Sequence, residues 1–184
     1  MRICISGTSS QGKSTFIKDF IKEWPSYSTP KTSYRSFVKN KHSKKGTKDM
    51  QWKILNSMID EIQKYDKDSN VIFDRGPLDN IVHSMYLFEK GLGGVDEEFI
   101  KKSIKLCNET FKLLDIILFI PLTKVAEDIV HDNDDFEADT EKGITDKECR
   151  AEIDTIFKAC KYDWDVNMAS ELFDPHDKPA IIEI

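Results

Sequence analysis

The chain is poor in residues that break or staple a fold. Its 184 residues include only 8 glycines, 6 prolines and 4 cysteines. So little Gly and Pro excludes a collagen-like or low-complexity chain, and a hydrophobic content of 39% excludes a largely disordered one. Cys4, Cys107, Cys149 and Cys160 form no CxxC pair, and no histidine stands at metal-ligand spacing from them. They read as reduced thiols of a cytoplasmic protein. The longest apolar run, around Ile116–Pro121, is far too short to span a bilayer, so no membrane partner is expected. The N-terminus lacks the charged and then apolar pattern of a signal peptide. Positive charge is not in excess: 27 Lys and Arg against 33 Asp and Glu leave a net charge of −6. That balance argues against non-specific nucleic-acid binding as the main task.

What is present suffices for a packed core. The chain carries 11 Phe, 5 Tyr and 3 Trp, and its length fits one domain over 1–184. Arg2–Ser6 reads as a strand, and Gly7–Gly12 as a small polar loop. Phe16, Ile17, Phe20 and Ile21 then share one face, which predicts a helix from about Lys13 to before Pro25. Tyr27–Thr29 is a candidate second strand, stopped by Pro30. The spacing of Trp52, Leu55, Met58, Ile59 and Ile62 predicts an amphipathic helix over Lys48–Tyr65. Asn70–Asp74 and Asp115–Pro121 read as buried strands, with helices over Leu78–Glu89 and around Ile100–Leu114 between them. Ile153, Ile156, Phe157 and Cys160 mark another helix, and Lys178–Ile184 a last strand. Apolar strands alternating with helices mean an α/β domain, a parallel sheet covered on both faces.

The stretch Gly7-Thr8-Ser9-Ser10-Gln11-Gly12-Lys13-Ser14 fits G-x-x-x-x-G-K-[ST], with a strand before it and a helix after it. Glycine lets such a backbone curl so that successive N–H groups converge. With the first-turn amides of the helix they cradle phosphate oxygens. Lys13 then reaches the β and γ phosphates, and the Ser14 hydroxyl ligates Mg²⁺. Thr15 is the next hydroxyl and a further candidate contact, though helix packing is the stronger reading of it. A nucleoside triphosphate and Mg²⁺ are therefore the expected ligands of the loop, and the nucleotide's base is left open by it.

Asp74 and Arg75 stand where a later strand ends, the edge at which open α/β sheets bind ligands. A carboxylate there can hold a metal or take a proton from an attacking hydroxyl. Arg75 can neutralise a phosphate or fix the nucleophile. A surface ion pair is the plainer reading of Asp74 and Arg75, and Asp79 reads as either a helix cap or a substrate contact.

GTSSQGKS after the first strand and FDRGPLD after a later one together resemble the P-loop kinases of the nucleoside and nucleotide kinase group. The branch most similar is the AAA ATPase and ribosylnicotinamide-kinase-like one, with its bacteriophage members, and the likeness covers nearly the whole chain. It implies a three-layer P-loop fold: a five-stranded parallel sheet in the order 2-3-1-4-5, helices on both faces, and a helical lid at about 123–150. It implies transfer of the γ-phosphoryl of ATP to a small acceptor such as a nucleoside or nucleotide. Asp74 would then be base or metal partner, Arg75 a neighbour of the acceptor, and Lys31, Tyr34 and Arg35 acceptor contacts by location. Gly143–Phe157 is similar to the arginine-bearing lid, where Arg150 matches a catalytic or ATP-contacting arginine. The further lid arginine of relatives is missing from Gly143-Ile144-Thr145, so Arg150, Lys142 or Lys147 would substitute for it. Relatives also continue into an adenine-packing loop, a part that Phe173–Lys178 could play here.

Other features carry weaker signals. Lys39–Lys48 holds five lysines and reads as a solvated loop or as a guide for a nucleic-acid end. Glu127–Glu141 holds eight acidic residues without EF-hand spacing. His83 and His131 have no partner motif. Assembly as a homodimer is left open. The alternatives to a small-molecule kinase are thus a polynucleotide 5′-kinase, a regulatory NTPase switch and a silent nucleotide binder. A kinase forms ADP only with acceptor present, a switch hydrolyses slowly without one, and an end kinase loses activity steeply as salt rises.

Overall fold

The computed structural model describes residues 1–31, 46–124, 146–166 and 179–184. Strand β1 (Arg2–Ser6) leads through the glycine loop into α1 (Lys13–Glu23). Then follow α2 (Lys48–Gln63), β2 (Val71–Asp74), α3 (Pro77–Glu89), α4 (Glu97–Phe111), β3 (Ile116–Phe119), α5 (Asp146–Val166) and β4 (Ala180–Glu183). The strands form one parallel sheet in the order β2-β1-β3-β4, with β1 and β3 at its centre.

Among the described residues the sheet has four strands, where five were expected. Tyr27–Thr29 falls short because only Ser28 pairs. Its amide donates to the Asn70 carbonyl at 3.1 Å, and its carbonyl accepts from the Ile72 amide at 2.9 Å, giving a single parallel bridge to Val71. Pro30 has no N–H with which to extend the ladder. The remaining strands keep the expected order, and the bridge lies on the edge where the fifth was expected.

Alternation along each strand divides the core. Cys4, Val71, Phe73, Ile117, Phe119 and Ile181 point to one face. There they meet Leu55, Ile59 and Ile62 of α2, Leu78, Ile81 and Val82 of α3, Ile104 and Cys107 of α4, and Ile153 and Phe157 of α5. Ile3, Ile5 and Ile72 point to the other face, against Ile17 of α1, with Phe16, Phe20, Ile21 and Tyr27 packed around them. The period-2 pattern of the strands thus feeds two layers of helices of unequal size.

Helix starts follow local chemistry. The Thr47 hydroxyl accepts from the Met50 amide to cap α2, and the Asp96 carboxylate accepts from the Phe99 amide at 2.8 Å to cap α4. Pro77 opens α3. All four cysteines are buried, and none forms a disulfide. Among the described residues, no helix is long and apolar enough to cross a membrane.

Leu55 is wholly buried between layers, whereas Ile182 on the edge strand is 43% exposed. Leu55→Ala is expected to cost about 2–5 kcal/mol of unfolding free energy. Ile182→Ala should cost about 1 kcal/mol, because close to half of its surface stays in water on folding. Urea denaturation of the two variants measures the contrast.

Candidate functional site

The C-terminal ends of β1 and β2 lie side by side, with Ile5 opposite Asp74. The loop after β1 and the turn after β2 therefore emerge at the same edge. The loop begins at Gly7, whose φ of 137° suits glycine and whose Cβ position would lie 2.4 Å from the Ile120 carbonyl oxygen. Ser10 at φ 60° and Gly12 at φ 79° complete the curl. Helix α1 starts at Gly12 with no side-chain cap and no acidic residue in its first turn. Its opening amides are thus disposed toward an anion.

Lys13 is buried, and its ammonium donates to the Thr8 carbonyl. The Thr8 hydroxyl and the Gln11 amide both donate to the Ser9 carbonyl, at 3.4 and 3.2 Å. Ser9 and Ser10 are half-buried, and Ser14 and Thr15 are exposed on the first turn of α1. The Ser14 hydroxyl donates to Asp74 Oδ2 at 3.4 Å. The other carboxylate oxygen, Asp74 Oδ1, is buried without a hydrogen-bond partner. A hydroxyl beside a half-satisfied carboxylate fits a magnesium ion, which takes one or two protein oxygens and fills its shell with water and phosphate. Among the described residues no group of three or more His, Cys, Asp or Glu side chains converges as a denser metal cage would require.

Arg75 follows in the left-handed region at φ 73°, a conformation that costs a residue with a Cβ roughly 1–2 kcal/mol. Its guanidinium is buried and turns back into the protein. Nη1 donates to the Gly7 carbonyl at 2.8 Å and to Asp79 Oδ1 at 3.0 Å. The Asp79 carboxylate also accepts from the Gly7 amide at 3.3 Å and the Gly76 amide at 3.2 Å. Asp79 is therefore a helix cap, one of its two sequence readings, and it bonds the glycine loop as well. Below this turn Gly76 lies over Cys4, whose Sγ is 2.5 Å from the position a Cβ would take. Burial first, and the Asp79 charge next, hold the Cys4 thiol well above its ordinary pKa, so it is no nucleophile.

One polar pair escaped the sequence reading. Asn80 donates its side-chain amide to the Gln51 carbonyl at 3.1 Å and to Gln51 Oε1 at 2.9 Å, while Asn80 Oδ1 is buried and unpaired. Gln51 occupies the core side of α2, one turn before Leu55, and that single polar residue on an apolar stripe was the available signal. His83, half-buried on α3, has its pKa lowered to about 3 by burial, then by Arg75 and Lys13. It is a neutral imidazole near the cations of the loop.

Of the other expected residues, Arg150 lies fully buried on α5, one turn before Asp154. Asp154 accepts from the Leu122 amide at 2.7 Å and so ties α5 to the end of β3. Lys31 is exposed. Tyr34, Arg35, most of the lysine run, the acidic stretch, Lys142, Gly143-Ile144-Thr145 and Phe173–Lys178 lie outside the described residues.

A sequence profile described as an AAA domain matches residues 2–164. The chain belongs to this AAA-domain family. No curated protein gives a significant sequence match. Among solved structures, a deoxyadenosine kinase from M. mycoides with products dCMP and a flexible dCDP bound superposes with a TM-score of 0.65 at 18% identity. That match covers 100% of this chain and 89% of the other. The same enzyme with bound dATP gives 0.60 at 20% identity, covering 100% and 90%. NadR protein in complex with NR gives 0.60 at 13% identity, over 97% of this chain and 42% of that one. The likeness is one of fold, and the expected kinship with the P-loop nucleoside-kinase group holds at that level. In this AAA-domain chain the glycine loop and the Asp74 turn occupy the sheet edge that α/β folds use for ligands.

His83 sets a pH dependence. Its folded pKa lies below the ordinary 6.5, so the unfolded chain binds the proton first. Its contribution is whole above about pH 6.5 and is lost as pH falls toward 3, with a slope of at most about 1.4 kcal/mol per pH unit. Urea titrations between pH 6.5 and 4.5 should show this slope in the native sequence and a flatter one in His83→Gln. The imidazole NMR shifts of His83 should not move between pH 8 and 5.

Proposed function

We propose that the chain is a magnesium-dependent kinase that moves the γ-phosphoryl of ATP to a nucleoside, nucleotide or similar small acceptor. The observation that carries this reading is the pairing of Ser14 with Asp74, one carboxylate oxygen bonded and the other buried and unsatisfied, at the mouth of a glycine loop. The deoxyadenosine kinase structures, with dATP or dCMP and dCDP bound, support a nucleoside-like acceptor. The four buried cysteines, none in a disulfide, support a reducing, cytoplasmic setting.

Amides from Gly7 to Ser14 hold the triphosphate, and Lys13 leaves the Thr8 carbonyl for the β and γ phosphates. Magnesium, when bound, offsets phosphate charge as the γ-phosphoryl departs. Ser14 and Asp74 are the side chains that would hold it. Asp74 orients the acceptor hydroxyl or takes its proton. The acceptor oxygen forms its bond to phosphorus as the bond to the ADP oxygen breaks. Arg150 on α5 is the candidate for added charge stabilisation, with Lys31 and Arg35 as candidates on the acceptor side. The rest of the catalytic effect is positioning and preorganised charge.

Labelled ATP with a panel of nucleosides, nucleoside monophosphates, nicotinamide riboside and oligonucleotides tests the reading. Label should pass to a nucleoside or nucleotide. Asp74→Asn should lower the rate by about 100-fold or more, and Lys13→Ala should lose most of the affinity for ATP. An Asp74→Asn enzyme running at the wild-type rate removes that carboxylate from the reaction, and label passing only to oligonucleotides makes the protein an end kinase.

A further inference from the structure

We infer that Arg75 and Asp79 are positioning residues. Their buried ion pair holds Gly7, where the phosphate loop begins, in register with Asp74, so that the triphosphate cradle and the metal-side carboxylate are set by one interaction. This rests on the kinase reading above and assigns these residues a task other than touching the acceptor.

The geometry is a two-point grip on a single residue. The Gly7 amide donates to Asp79 Oδ1, and the Gly7 carbonyl accepts from Arg75 Nη1. The two gripping side chains bond each other at 3.0 Å. Asp79 Oδ2 closes the ring by accepting from the Gly76 amide. From the opposite side, the Ile120 carbonyl occupies the space where Gly7 would carry a side chain. The start of the loop is thus fixed by the turn after β2 and by the end of β3 together. Arg75 and Asp79 are both buried, so their charges are little screened, and each depends on the other to offset lost hydration. These two bonds hold Arg75 Nη1 on the loop and on Asp79. The left-handed backbone at Arg75 is held by the same contacts, together with the Arg75 amide donating to the Ile5 carbonyl at 3.0 Å.

The device predicts a coupling. Asp74 immediately precedes Arg75, and Ser14 lies on the first turn of the helix that the loop enters. Loosening Gly7 shifts the loop relative to the carboxylate, so the gain in ATP affinity that magnesium confers should shrink. A general loss of stability would leave that gain unchanged.

The experiment measures ATP affinity by calorimetry, with magnesium and with EDTA, for the wild type, Asp79→Asn, Arg75→Lys and the remote core control Ile59→Val. Asparagine places an N–H donor where amide donors already converge, and lysine replaces the rigid planar guanidinium, whose Nη1 bonds both the Gly7 carbonyl and Asp79, with a shorter flexible stem. Both variants should bind Mg·ATP at least 10-fold more weakly and lose most of the magnesium enhancement. Ile59→Val should lower the melting temperature and keep the enhancement. Hydrogen exchange of the ligand-free protein gives a second readout: the Gly7 amide should be protected in the wild type and exposed in Asp79→Asn. If Asp79→Asn does not fold, Arg75→Lys carries the comparison, since it retains the charge. Wild-type enhancement in the folded variants, or a Gly7 amide that exchanges freely in the wild type, overturns the positioning role and leaves the kinase reading standing. A wild type with a protected Gly7 amide and no affinity for ATP sinks the kinase reading, and this inference with it.

Discussion

One buried carboxylate joins three pieces of this site. Asp79 accepts from the amide that starts the glycine loop, from the amide that starts α3 and from the guanidinium between them. A carboxylate shut away from water needs such partners, because its burial is costly and few donors can reach it. Here two of the donors are main-chain groups of two different strand exits. The need to satisfy Asp79 therefore becomes a constraint on where both strand exits lie, and the loop and Asp74 inherit their relation from it.

The parallel sheet makes that arrangement available. Adjacent parallel strands end at the same edge, so β1 and β2 deliver Gly7 and Asp74 together without any long connection between them. The large helical layer presses on the Cys4, Phe73 and Phe119 face, and among the described residues α1, with its aromatic neighbours, covers Ile3, Ile5 and Ile72. Helix α1 is thus both the lid of the smaller layer and the carrier of Lys13 and Ser14. Ile17, the buried residue four positions after Lys13, anchors that helix to the sheet. Core packing and loop placement are one act there.

How much of this was readable from sequence follows from distance along the chain. The glycine loop is contiguous, so its eight residues announced themselves, and the same holds for the apolar periodicity of α2 around Leu55 and Ile59. The run ending at Asp74 was legible as a strand because its apolar residues are consecutive. The ties that Arg75 and Asp79 make to Gly7 span 68 and 72 residues, and only the pairing of β1 with β2 reveals them. Gln51 and Asn80 meet across 29 residues for a like reason, through the packing of α2 on α3. The expected strand at Tyr27–Thr29 had suitable residues, yet strand formation needs a run of paired amides, and Pro30 ends it after one bridge.

The bond between Lys13 and Thr8 has a consequence for ligand capture. The ammonium sits out of bulk water and already holds an oxygen of its own loop. Arrival of an anion is then an exchange of one oxygen for another, with little fresh dehydration of the cation. The strength with which the loop captures a phosphate then reflects the difference between two partners of the same lysine.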